Sequence, residues 1–422
     1  MNTWPSTRLG DHLRVKHGFA FQGEYFSDSG EYVVLTPGNF IEAGGFKPKS
    51  GAEKYFTADP PPDYVLRRGD LVIAMTEQAQ GLLGSSALIP ADGVYLHNQR
   101  IGLIQPTSGQ AHLRFLYYLF NTPGVREQIQ ATATGSKVRH TAPSRVENVR
   151  ILLPPIATQR NIAAILSAYD DLIQNNNRRI KLLEAMAQRI YREWFVDFRY
   201  PGHETVPLTG SELGPAPSDW SLRPLGEVVA QSRASVNPSR FPGETFEHYS
   251  IPSFDEGRRP RLEAGDEIKS SKFLVNGPCV LYSKLNPRIP RVWMAAPRAS
   301  GRAVASTELL VLSDRGGWNL PLIYCLLRSE QFGDRVAGMA GGTSTSHQRV
   351  RPGELLALRV LDAGNDLARL FERRVGAILT LAQQLRECSF VLREARDLLL
   401  PRLVSGEIDV TDLDIDAPEL AA

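Results

Sequence analysis

Apolar positions along this chain switch twice from a short-period rhythm to a helical one. In residues 1–153, short β-branched and aromatic runs alternate with Gly, Pro and Asn turns. Tyr32-Val-Val-Leu-Thr, Gly69-Asp-Leu-Val-Ile-Ala-Met and Arg100-Ile-Gly-Leu-Ile read as strands, and His112 to Ile129 reads as a helix. Pro154-Pro155 then stops the strand Val149–Leu153, and proline suits the first turn of a helix. From there to about Phe198 the helical pattern is unbroken. Ile162, Leu166, Tyr169, Ile173, Asn176, Ile180, Leu183, Ala187, Ile190 and Trp194 follow one another in steps of four and three, the spacing of a heptad seam. Tyr200-Pro201-Gly202 ends the run, and a linker rich in Pro, Gly and Ser extends to Asp219. Residues 220–363 repeat the first plan. Gly364-Asn365-Asp366 offers an N-cap to a second heptad run, with its seam at Leu367, Phe371, Arg374, Ile378, Leu381, Leu385, Cys388, Leu392, Ala395 and Leu399. Gly406 fits a helix stop, and the acidic stretch after it is expected to fray.

The two halves share more than rhythm. Gly135 falls on Gly342, His140 on His347 and Glu147 on Glu354, each at an offset of 342 − 135 = 207. The same offset lays Leu116-Tyr-Tyr-Leu-Phe over Ile323-Tyr-Cys-Leu-Leu. A period this long marks a duplicated domain and not a solenoid repeat. The expected layout is a first head at 1–153, a central helical region at 154–199, a linker at 200–219, a second head at 220–363, a distal helical region at 364–406 and an acidic tail at 407–422. The fold class is α+β: two similar heads separated by two long helices, each roughly 65 Å at the α-helical rise, paired antiparallel as a coiled coil. The core of that seam is Ile162, Leu166, Ile173, Ile180, Leu183 and Ile190 against Ile378, Leu385, Leu392 and Leu399. Asn176 and Arg374 on the seams would cost stability, and fixing register is the best-attested use of such residues.

Charge and cysteine content narrow the class. The net charge of +2 does not by itself announce a nucleic-acid binder, so any such role rests on local patches. Cys279, Cys325 and Cys388 are scattered and odd in number, which suits a reducing cytoplasm and makes neither a disulfide framework nor a zinc site. No basic stretch followed by an apolar run opens the chain, and no segment reaches the ~18 apolar residues of a membrane span. Motifs for catalysis are missing: no Gly-x-x-x-x-Gly-Lys-Ser/Thr loop, no His-Glu-x-x-His, no Gly-x-Ser-x-Gly. Asp59-Pro-Pro-Pro-Asp-Tyr64 resembles the Asp-Pro-Pro-Tyr box of amino-methyltransferases. An extra Pro-Asp interrupts it and no Gly-rich cofactor loop accompanies it, so it reads as a proline-rich turn.

The candidate chemistry lies in loops that recur at equivalent places. Ser136, Lys137, Arg139 and His140 gather after Gly135, and Thr343, Ser344, His347 and Arg349 gather after Gly342. Small hydroxyls and basic groups in a turn suit phosphate oxygens, while Arg, Asn and Gln can read base edges. After the strand at 279–283 come Lys284, Asn286, Arg288 and Arg291, where the first head holds Thr76, Glu77, Gln78 and Gln80. Any one of these alone would be an ordinary solvated loop; their recurrence points to double-stranded DNA read at two half-sites that differ, hence a split, non-palindromic site. A two-headed structural adaptor that binds proteins through its heads and coiled coil is the competing reading. The charged helix faces, Asp170, Asp171, Arg178, Arg179, Lys181, Arg189 and Arg192, fit either docking or plain solvation. DNA affinity falling steeply with salt separates the two readings.

The helical stretches carry a family resemblance. Leu153-Pro-Pro-Ile-Ala-Thr-Gln-Arg-Asn-Ile-Ala-Ala-Ile-Leu-Ser-Ala-Tyr-Asp-Asp-Leu-Ile is similar to the central helical region of type I restriction-modification specificity subunits, and Leu398-Leu-Leu-Pro-Arg-Leu-Val-Ser-Gly-Glu-Ile to the end of their distal region. Trp4, Leu9-Gly10-Asp11 and Gly18-Phe-Ala-Phe-Gln-Gly resemble the opening of their target recognition domains. The resemblance is specific in the helices and looser in the heads. It implies a non-catalytic cytoplasmic subunit that selects DNA sequence through two target recognition domains. Its helices would dock two methyltransferase subunits acting on adenine N6, joined by nuclease/translocase subunits. It implies no cofactor in this chain, with S-adenosylmethionine, ATP and Mg in the partners. The second repeat departs from the first in having Leu361-Asp362-Ala363 where a double proline precedes the first helix.

Overall fold

In the computed structural model, residues 4–49, 51–77, 81–298, 301–339 and 348–415 are described. The chain divides into two compact units, residues 1–174 with 390–422 and residues 175–389. Each is built around a four-stranded antiparallel sheet, and the strand order is the same in both. In the first unit it runs Leu13–His17, Ile101–Pro106, Leu71–Ala74, Ser86–Leu88. In the second it runs Val229–Ser232, Leu309–Asp314, Cys279–Ser283, Val292–Ala295. Both faces of these sheets are covered, so the middle strands are apolar at nearly every position. Leu71 and Ile73 face one core with Phe115, Leu119 and Ile129, whereas Val72 and Ala74 face another with Leu35, Phe40 and Leu66. Val280 and Tyr282 against Cys279 and Leu281 repeat that division in the second unit.

A second small sheet in each unit contains one parallel pair, Tyr32–Val34 with Tyr95–Leu96 and Thr245–Tyr249 with Arg302–Ala305. It has four strands in the first unit and five in the second. The helix expected over 112–129 is two helices, Leu113–Phe120 and Pro123–Ala131. Pro123 opens the second, because proline cannot continue a helix but suits its first turn. Leu320–Arg328 and Glu330–Gly338 repeat the pair, with Ser329 capping the second by accepting from the Phe332 amide.

The central helix spans Ile156–Phe195 and the distal helix Gly364–Val404. Each contributes one part to each unit. In the first unit, Ile162, Ala163 and Leu166 share a core with Leu403 and Val404. In the second, Ala187, Tyr191, Trp194 and Phe195 share one with Phe371, Val375 and Leu379. The helices therefore pack antiparallel. Along the central helix, Ile162, Leu166, Ile173, Asn176 and Ile180 are buried, and Leu183 and Ile190 half-buried. Along the distal helix the buried line is Ala368, Phe371, Val375, Leu379, Ala382 and Ser389. Ile378, Leu385, Leu392 and Leu399 flank it half-buried, and Arg374, Leu381 and Cys388 do not join it. Arg374 is thus no seam residue. Heptad counting follows the leucines, but in the second unit the distal helix buries its face against both the central helix and the helix Leu320–Arg328. Small Ala382 and Ser389 occupy the covered line there.

Half-buried ion pairs tie head to helices within each unit. In the first, the Tyr118 hydroxyl donates to Asp170 Oδ2 at 2.6 Å and Arg396 pairs with the other oxygen. In the second, Glu184 receives Arg258 at 2.6 Å and both Arg328 and Arg386 at 2.9 Å. The described part of the tail, 407–415, is held against the central helix instead of fraying. Val410 is buried, and Asn161 Nδ2 donates to the carbonyls of Val410 at 2.9 Å and Leu413 at 2.8 Å. No helix among the described residues is long and apolar enough to cross a membrane.

Candidate nucleic-acid interface

The two loop groups picked out in each half of the sequence meet at one end of each main sheet. In the first unit, Thr76–Glu77 pairs antiparallel with Arg139–His140, placing His140 opposite Thr76 and Arg139 opposite Glu77. The Thr141 amide donates to the Met75 carbonyl and the Met75 amide to the Arg100 carbonyl, both at 3.0 Å. In the second unit, Leu285 bridges Arg349. The Val350 amide donates to the Lys284 carbonyl at 3.1 Å, and the Lys284 amide to the Glu308 carbonyl at 2.9 Å. One hydrogen-bond pattern thus builds a three-stranded rim in both heads: Arg100 beside Met75 and Thr76 opposite His140 in one, Glu308 beside Lys284 and Leu285 opposite Arg349 in the other.

This pattern corrects the alignment of the halves. The offset is 320 − 113 = 207 at the first helix of each pair but 349 − 140 = 209 at the rim. Arg349, not His347, stands where His140 stands. Glu147 likewise corresponds to Leu356 and not to Glu354: a Cβ on Gly10 would meet Glu147, and one on Gly226 would meet Leu356. Glu147 serves the fold, accepting from the Val15 amide at 2.9 Å.

In the first rim, Ser136 and His140 are exposed, as is Lys137, and Thr76 is half-buried. Thr134 and His140 exchange backbone hydrogen bonds at 2.9 and 2.8 Å, closing a tight turn that needs Gly135 at φ 102. Arg139 turns inward. Its Nη1 lies 3.2 Å from Glu77 Oε1 and its Nη2 donates to the Gln130 carbonyl at 2.6 Å. Glu77, only 2% exposed, also accepts from the amides of Gly81 at 3.0 Å and Leu83 at 2.9 Å. Arg126 donates to the carbonyl of Leu83, and to that of Glu42, both at 2.9 Å. Glu77 and Arg126 therefore grip the 81–83 turn by its amides and its carbonyls, and Arg139 joins the hairpin to that grip.

In the second rim, Arg349 makes a two-pronged pair with Glu308 at 3.1 and 3.0 Å. Arg291 does the same with Asp255 at 2.8 and 2.9 Å. Asn286 adopts φ 50, its amide donates to the Gln348 carbonyl at 2.8 Å, and its buried Oδ1 has no partner among the described residues. Lys284 is half-buried and Arg288 exposed. Lys137, Lys284 and Arg288 make no ion pair among the described residues. Gln78, Thr343, Ser344 and His347 lie outside the described residues.

Sequence reasoning passed over the turn that completes each rim. Residues 97–101 form it in the first head, directly before the strand Ile101–Pro106; Ser306 to Glu308 occupy that place before Leu309–Asp314. Burial lowers the His97 pKa to about 4, so the ring is neutral, and its Nε2–H donates to the Ile101 carbonyl at 2.9 Å. Two matching strand starts at an offset of 308 − 100 = 208 were the available signal.

Each unit is thus an α+β head with a polar rim, packed on parts of two long helices. Residues 1–185 match the family model described as the type I restriction modification DNA specificity domain. The type I restriction enzyme MjaIX specificity subunit of Methanocaldococcus jannaschii is 25% identical over 331 residues, 75% of this chain and 73% of that protein. The MjaVIII specificity subunit of the same organism is 33% identical over 113 residues, 26% of each chain. The crystal structure of a type I restriction-modification S subunit from M. genitalium shares the fold, with a TM-score of 0.58 at 15% identity across 95% of this chain and 96% of that one. Residues 1–185 thus match that specificity domain, and over three quarters of its length the chain is similar to a type I restriction enzyme specificity subunit.

Proposed function

We propose that this chain reads a bipartite, asymmetric DNA site, one half-site per head, and positions the catalytic subunits of its complex on that site. The duplicated rim carries this reading. The same backbone contacts present different side chains in the two heads, Arg100, Thr76 and His140 against Glu308, Leu285 and Arg349. Two frames of one geometry with unlike chemistry suit two unlike half-sites. Residues 1–153 and 220–363 act as the recognition domains, and the helices set the gap between half-sites. Exposed apolar positions on the helices, Leu182 and Met186 one turn apart and Val391 and Leu398 two turns apart, suit docking of two adenine-N6 methyltransferase subunits. Nuclease/translocase subunits join them. The chain itself is non-catalytic; S-adenosylmethionine, ATP and Mg act in the partners, in the cytoplasm.

Genome-wide mapping of methylated adenine in the native host, with and without the gene, tests the reading. Loss of one split, asymmetric motif on deletion is expected. An unchanged methylome together with salt-insensitive DNA binding by the purified chain would overturn it in favour of a protein-binding adaptor.

A further inference from the structure

Turn 97–101 of the first head is pinned from several sides. The Phe19 amide donates to the His97 carbonyl at 2.9 Å and the Gln99 amide to the Phe19 carbonyl at 3.0 Å. The Ile101 amide closes on the Asn98 carbonyl at 2.9 Å, and the His97 ring holds the Ile101 carbonyl. Gly18 lets the chain pass so close that a Cβ there would lie 2.0 Å from the Asn98 carbonyl oxygen. On this fixed backbone Gln99 and Arg100 are exposed, and Arg100 makes no ion pair among the described residues. Three other arginines of the rims are neutralised, Arg139 by Glu77, Arg349 by Glu308 and Arg291 by Asp255, whereas Arg288 of the second head makes no ion pair among the described residues. Arg100 is the guanidinium that the first rim leaves open, one strand from Thr76 and two from His140.

The second head inverts this position. Glu308 stands in the place of Arg100, and it binds Arg349, which stands in the place of His140. The arginine at the equivalent places thus lies on one flank of the middle strand in the first rim, as Arg100, and on the other in the second, as Arg349.

Resting on the DNA reading above, we propose that Arg100 is a specificity-determining residue of the first head, its planar fork reading the O6 and N7 of a guanine, with Gln99 beside it reading an adjacent adenine. A fixed backbone with unpaired side chains is the preorganisation such contacts require. Arginine to guanine and glutamine to adenine are two-pronged pairings available in the major groove. Lys137, exposed on the neighbouring hairpin, contacts phosphate.

The test compares wild type, Arg100→Ala and Arg100→Lys as full-length chains in the native host by methylated-adenine mapping. The purified chains are then titrated with duplexes carrying single changes in the mapped motif. A guanine contact predicts that both variants lose discrimination at one G·C position of one half-site, by about 5- to 150-fold. The other half-site stays intact and serves as the internal control for folding and assembly. Lysine keeps the charge but not the fork, so it should not rescue. Overturning results are unchanged preference in Arg100→Ala, or a uniform loss of affinity that Arg100→Lys restores, which would make Arg100 a phosphate contact. Wild type specifying no split motif would remove the underlying reading along with the assignment. An unaltered motif in the variants removes the assignment alone.

Discussion

Glu184 offers a measurement in which the charge balance can be worked through. Burial in the second unit raises the pKa of this carboxyl, but Arg258, Arg328 and Arg386 around it more than reverse that, bringing it from 4.5 to about 2. At about 1.36 kcal/mol for each tenfold change in proton affinity, that lowering corresponds to about 3 kcal/mol of stability from the ionised form. Glu184→Gln keeps the shape and removes the charge, leaving three guanidiniums facing one another. Because the folded pKa lies below the unfolded one, the stabilisation is fully present above about pH 4.5 and disappears as pH falls through 2. The wild type should therefore exceed the variant by about 3 kcal/mol at pH 7, and the gap should narrow across that acid window. For a unit of this size the difference is roughly 6–12 °C in Tm. Trp194, Trp220, Trp293 and Trp318 all lie in the second unit and only Trp4 in the first, so tryptophan fluorescence during urea or thermal unfolding reports the right part. A gap below about 1 kcal/mol, or one that ignores pH across the acid window, would refute the reasoning.

Arg139→Ala should loosen the 134–141 hairpin by about 2 kcal/mol, the scale of a charged hydrogen bond, read as faster amide exchange over those residues; unchanged protection would show that the Glu77 pair does not hold it. Arg349→Ala should weaken binding and relax preference in the second half-site only, and equal relaxation of both halves would exclude it as a local reader. Gly18→Ala should displace the 97–101 turn and blur the first half-site in methylation mapping, leaving the second sharp. Deleting one heptad from each long helix should alter the gap between half-sites while preserving both. A gap that stays put would mean the helices are not the ruler.

Much of this molecule was legible in its sequence. The duplication, the α+β heads, the long helices and the gathering of polar loops followed from period, turn residues and recurrence. These are local signals, set by backbone propensity and by which face of an element is apolar. Contacts between distant segments were not legible. The line through Ile378 and Leu385 could not be told from the line through Ala382 and Ser389 until the distal helix had two neighbours to bury against. Ile378, Leu385, Leu392 and Leu399 flank the covered line for that reason. Val410 looked like part of an acidic tail until Asn161 held its carbonyl. Arg139 looked like a reader of bases because sequence shows a charge but not its partner, and Glu77 lies 62 residues away along the chain. The shift from offset 207 to 209 was likewise invisible, since only strand pairing says which residue stands opposite Thr76 and which opposite Leu285. Sequence thus determined the elements, their repetition and the resemblance to specificity subunits. Tertiary structure decided which charges are neutralised and which remain open, because an ion pair depends on distance in space and a heptad count records only distance along the chain.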